Sequence, residues 1–223
     1  MQRLLAHAPL LCALLAGGGL HIRDEVSADA PSRVRVHWAG GVVHVRPADG
    51  EAAVAGVTAW GPEAPTAFSS RASGGFWILD LTCRLPVSCG GDLDLRLPAG
   101  VALEVDLGEG EVRLEDLSGA LTVSIGRGHL AASGLGVDDA VLQVAEGDID
   151  ASWSVAPERV VLATVRGDVH AALPPAAYRL EVQGGRADLV GIEDAPGAAR
   201  SVSVTTVDGR ARIARSRPDL AAL

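Results

Sequence analysis

A glycine-centred turn recurs along the second half of the chain, and this period constrains the fold more than any other feature. Six such turns are Glu109-Gly110-Glu111, Arg127-Gly128-His129, Glu146-Gly147-Asp148, Arg166-Gly167-Asp168, Gly184-Gly185-Arg186 and Asp208-Gly209-Arg210. Their central glycines lie 18, 19, 20, 18 and 24 residues apart, and Gly91 lies 19 residues before the first. Two positions after each glycine stand Val112, Leu130, Ile149, Val169, Ala187 and Ala211. Four positions after stand Leu114, Ala132, Ala151, Ala171, Leu189 and Ile213. The residues between are mostly polar, as in Arg113, Asp150, His170, Asp188 and Arg212. Alternation of this kind marks a strand with one buried face.

The approach to each glycine follows the same rule. Five positions before stand Val105, Val123, Leu142, Leu162, Leu180 and Val204; three before stand Leu107, Ile125, Val144, Thr164, Val182 and Thr206. The step from the inward position before the glycine to the one after it is odd. Strict alternation therefore breaks, and the chain must turn a corner where glycine accepts positive φ without strain. Each repeat reads as strand, glycine corner, strand and second turn, for instance Asp116-Leu117-Ser118-Gly119.

One repeat cannot bury its own apolar face, but stacked repeats can. The expectation is an all-β chain: a single-stranded β-solenoid with coils of 18–20 residues, closed at one end by an N-terminal β-sheet cap. An antiparallel β-sandwich and a meander barrel are the competing folds. A thin core fits the scarcity of aromatics, with only Trp153 and Tyr178 after residue 100. Residues 33–97 hold the other five, Trp38, Trp60, Phe68, Phe76 and Trp77. There Arg33–His37 and Val42–Val45 flank Trp38-Ala39-Gly40-Gly41 and read as a hairpin with a glycine turn.

The expected organisation is an export signal over 1–20, a β cap over 21–97, the repeat domain over 98–213 and a polar tail over 214–223. Arg3 precedes an apolar run from Leu4 to Ala16, followed by Gly17, Gly18 and Gly19, a pattern suited to signal cleavage. Cys12 would leave with that signal. Cys83 and Cys89 remain, and in an oxidising compartment they are expected to form a structural disulfide contributing on the order of 2 kcal/mol. Two buried thiols, or half of a zinc site, are the other readings of that pair.

The residues from Leu97-Pro98-Ala99-Gly100 through Val105, then Gly108-Glu109-Gly110-Glu111-Val112-Arg113-Leu114 and Leu117-Ser118-Gly119, resemble the bacterial putative-adhesin family of β-strand repeat domains. The resemblance spans roughly residues 75–213. It implies repeated strands joined by Gly-Ser-Gly-Asp-type and Ser-Gly turns, in exported or envelope-associated domains of unknown function. It brings no catalytic residues to carry over.

The net charge of −9 lacks the positive field that nucleic acid requires, and Arg supplies every basic side chain because Lys is absent. Carboxylates crowd the corners: Glu109, Glu111, Glu146, Asp148, Asp150 and Asp168. Paired carboxylates cleave polysaccharides, and oxygen-rich turns bind calcium, but a solvated acidic edge requires neither. Arg166-Gly167-Asp168 spells an integrin-binding tripeptide at a corner the repeat already demands. His37 and His44 would face each other across the expected hairpin and are read as surface histidines. No nucleophile elbow, phosphate loop or paired-cysteine metal motif is present.

No catalytic, cofactor or metal residue is therefore assigned. The expected function is a non-catalytic, exported cell-envelope protein, an adhesin or surface scaffold, binding an envelope or surface ligand such as a glycan or a protein. A polysaccharide-acting enzyme using turn carboxylates is the alternative. Self-association through the ends of the stack is a third reading.

Overall fold

The computed structural model describes residues 20–61, 66–83 and 89–216. The expected signal segment lies outside the described residues except for Leu20, whose backbone opens the first strand. The N-terminal strands are β1 (Leu20–Asp29), β2 (Arg33–Pro47), β3 (Ala52–Gly61), β4 (Thr66–Ser73), β5 (Phe76–Cys83) and β6 (Gly90–Leu97). The repeats form β7 (Ala102–Glu115), β8 (Leu121–Leu135), β9 (Asp139–Glu146), β10 (Ile149–Trp153), β11 (Arg159–Arg166), β12 (Val169–Leu173), β13 (Tyr178–Val190) and β14 (Arg200–Arg215). The chain is all-β, as its alternating pattern requires.

The glycine corners stack in register. Gly41 pairs with Gly110, and Gly110 with Gly128, while Val105 lies beside Val123 and Val112 beside Leu130. The stacking leaves no room for a side chain at these corners. A Cβ on Gly128 would collide with the carbonyl oxygen of Gly110, and one on Gly147 with that of Gly128. The φ of Gly128, 146°, is also one that L side chains rarely adopt. The inward columns either side of the corner form the core, with Val105, Leu107, Val112, Leu114, Val123 and Ile125 buried.

The single-stranded β-solenoid is not what forms. Strands β8, β10, β12, β14, β11 and β9 pair in that order, all parallel, and β9 returns to pair with β8. The result is a closed six-strand parallel β-barrel with further strands attached. Closure is possible because β8 and β14 bend at their corners, so each offers its two halves to different neighbours. Sequence order is also broken. β14, not β13, pairs with β11 and β12, and β13 adds outside β14. The short link from Leu173 to Tyr178 passes over one rung, and the chain of the longer 24-residue interval between Gly185 and Gly209 returns to fill it with β14.

The expected hairpin around Gly40 and Gly41 is likewise not formed. β2 runs unbroken from Arg33 to Pro47 and pairs in parallel with β7 on both sides of the corner. β5 and β6 also pair in parallel with β2, whereas β1, β3 and β6 are joined antiparallel, as are β4 and β5. Trp77 is fully buried, and Trp38 donates from Nε1 to the Gly91 carbonyl at 2.7 Å.

Candidate functional site: a charged ladder and its groove

Parallel in-register pairing turns each sequence position into a row running across the strands. Three positions after the corner the row reads Asp94, His44, Arg113, Ala131, Asp150, His170, Arg212 and Asp188, from β6 through β2, β7, β8, β10, β12 and β14 to β13. From β6 to β14 these residues point outward, because their neighbours two and four past the corner fill the core, and Asp188 extends the row onto the exposed end strand. At the strand spacing of about 4.8 Å the row is a polar ladder of that repeat.

Ala131 is the short member of the row, and the next outward row also carries small side chains, Ser133, Ser152, Ala172 and Ala214. The ladder therefore sinks into an open groove of about 520 Å³. Arg113 and Glu115 bound one end and Arg212 the other, with Asp150 and His170 between them. Asp150 is held between two imidazoles, His170 Nδ1 at 3.1 Å and His129 Nε2 at 3.5 Å. Arg113 turns back along its own strand to grip Glu111 through two hydrogen bonds of 2.7 Å each. That grip, more than the nearby charge of His129, holds the Glu111 carboxyl below its usual value. It raises Arg113 correspondingly.

The corner carboxylates are placed as follows. Glu109, Arg127, Glu146, Arg166 and Asp208 form a second row of alternating sign. Arg127 lies 3.2 Å from Glu109 and 3.5 Å from Glu146, and Arg166 pairs with Glu146 from the other side. The arginines that interrupt the acidic column in sequence are its counter-charges in space. Asp148 accepts the Asp168 backbone N–H at 2.7 Å, and Asp168 accepts that of Arg210 at 2.8 Å. These carboxylates satisfy amide groups freed where the strands turn. Arg166 and Asp168 of the integrin-like tripeptide are thus both engaged in holding the corner together.

His37 and His44 do not face each other; they lie beside Asp106 at 3.6 Å and Glu115 at 3.0 Å on β7. Among the described residues, no group of three or more His, Cys, Asp or Glu side chains is arranged to hold a metal ion. Cys83 and Cys89 are joined by a disulfide with a Cα separation of 6.1 Å, and the loop between them lies outside the described residues.

His129 and His170 stand in the repeat pattern read from the sequence, which gives neither them nor their ladder a role in a site. The signal was present, since aligning the outward rows by corner glycine places unlike charges next to one another. It was hidden because the order of residues along the chain does not show that β8, β10 and β12 lie side by side in register.

No family model matches the chain, and no curated protein matches it. Solved structures do. A putative cell adhesion protein from Clostridium sporogenes aligns at 11% identity over 87% of this chain and 100% of its own, with a TM-score of 0.52. A putative adhesin from Bacteroides fragilis aligns at 10% identity over 88% of this chain and 97% of its own, with a TM-score of 0.43. The latter lies below the level at which a shared fold is established. The resemblance to bacterial putative-adhesin proteins read from the repeats is met in structure, and the chain shares the fold of the clostridial protein.

Proposed function

We propose that this chain is a non-catalytic, exported protein of the bacterial cell envelope that acts as an adhesin or surface scaffold. The observation that carries the reading is the charged ladder. A rigid stack presents Arg113, Asp150, His170 and Arg212 at fixed spacing around an open groove floored by small residues. Such a face suits an extended polar ligand, a glycan chain or a protein surface, laid across the strands. The engagement of the corner carboxylates with arginines and backbone amides supports display over acid–base chemistry. The fold shared with the putative cell adhesion protein of Clostridium sporogenes supports the same role. The disulfide supports export, because such bonds persist in oxidising compartments. In this reading residues 1–20 are the cleaved signal.

The test is binding of the full chain to immobilised glycans, matrix proteins and isolated envelopes. The expected outcome is saturable binding that Arg113→Glu and Arg212→Glu each weaken about tenfold or more, with the bound material released unaltered. Release of shortened glycan, abolished by Asp150→Asn, would instead establish the polysaccharide-acting enzyme.

A further inference from the structure

β13 ends the parallel stack, and its outer side is an open strand edge. Among the described residues it pairs with β14 alone, apart from a single bridge from Tyr178 to Asp194. The loop beyond β13 covers only the start of that edge, where Asp194 accepts the Leu180 N–H at 2.8 Å and Tyr178 accepts that of Ala195 at 2.8 Å. From Gln183 to Val190 every residue is exposed.

An uncovered edge is normally protected by charge or polarity on its inward side. β1 has this protection, since Asp24 lies opposite buried Val57 on the inward face. β4 has it too, with Ser70 opposite buried Leu79. β13 does not. Its inward residues Ala187 and Leu189 continue the columns of Ala211 and Ile213, which are 1% and 0% exposed, yet Leu189 is 43% exposed and neighbouring Val190 40%.

The outward residues of the same strand carry an unresolved charge. Arg186 lies in register beside Arg210, a like charge, on its only paired side. Asp188 lies beside Arg212, with 3.9 Å between their charged atoms. The segment Gly184-Gly185-Arg186-Ala187-Asp188-Leu189-Val190 is self-complementary when laid antiparallel on itself with Ala187 at the centre. Arg186 then faces Asp188 of the second copy, and Asp188 faces the second Arg186. Leu189 faces Gly185 and Val190 faces Gly184, so each exposed apolar side chain meets a residue with no side chain. Opposed residues in an antiparallel pair share a face, which sets each charge against its counter-charge.

We propose that β13 is the interface of a two-fold dimer of this chain, formed by antiparallel pairing of Gly184–Val190 with the same segment of a second copy. The pairing is isologous, so it closes at two copies rather than growing into a fibre. It joins the barrels of the two molecules end to end. It relieves the Arg186–Arg210 repulsion by placing the Asp188 carboxylate of the second copy against Arg186. Display does not depend on it, and it doubles the ladder available to a ligand.

Sedimentation velocity of the full chain over a concentration series tests the proposal. The expected result is a monomer–dimer equilibrium. Arg186→Asp and Asp188→Arg each oppose like charges and weaken the dimer about tenfold or more, whereas the double variant restores it. Thermal melting of each variant confirms the fold. In the native chain, amide exchange from Arg186 to Val190 slows as concentration rises, a readout that needs no variant. A chain that stays monomeric throughout, a dimer indifferent to both single reversals, or assemblies that grow beyond two copies would each overturn it.

Discussion

Gly128 shows how little freedom a single position has in this stack. An Ala there must adopt a φ of 146° and drive its Cβ into the Gly110 carbonyl. Gly128→Ala is expected to cost on the order of 3 kcal/mol, read as a lowered denaturation midpoint. The inward threonines act on the same corners. Buried Thr164 donates to the Gly147 carbonyl at 3.0 Å, so Thr164→Val should cost about 1 kcal/mol in the same assay. Tyr178, the one tyrosine, is fully buried and donates to the Pro174 carbonyl at 3.0 Å, and burial pushes its phenol up from 10.0. A raised folded value means that its contribution to stability is complete below the unfolded value and is lost as pH rises through the folded one. With no Lys to titrate in that range, phenolate absorbance should appear together with unfolding above about pH 10. Phenolate formation in the folded chain at an ordinary pH would refute this. Glu111 carries the opposite sign. Its lowered folded value gives stability present above 4.5 that is lost as pH falls through the folded value, so Glu111→Gln should flatten the acid limb of the stability profile.

At the scale of a strand row, the unit is the alternating ladder rather than the isolated ion pair. Arg127 stands between Glu109 and Glu146, and both contacts are exposed and open to screening. Arg127→Glu places three carboxylates side by side in the row and is expected to cost about 1 kcal/mol at low salt. The loss should shrink as salt is added; a cost independent of salt would show that packing, not charge, was disturbed. The rows were partly legible in the chain. The glycine spacing aligned Val105 with Val123 and Glu109 with Arg127, and the structure pairs those residues. The expected hairpin that would have set His37 opposite His44 is not formed, because Gly40 and Gly41 suit a hairpin turn as well as a bend within one strand. Only the neighbouring strand β7, in register on both sides of the bend, decides between them.

At the scale of the whole molecule, closure and order are tertiary facts. Reduction of Cys83–Cys89 is expected to lower stability on the order of 2 kcal/mol, measured by melting with and without reductant. The bridge ties the end of β5 to the start of β6, the two strands that pair with opposite halves of β2. The order of residues along the chain already dictates that it is all-β, that its corners are glycine, and which residues point inward. Those properties are local, set by alternation and by the sterics of a residue without Cβ. It did not determine that six strands close into a barrel, that β14 lies inside β13, or that Asp150 sits between His129 and His170. An apolar column fits equally well against any other apolar column of the same register. The choice among neighbours therefore falls to connection length, bending and charge pairing between residues far apart in sequence, which act only once the strands are packed.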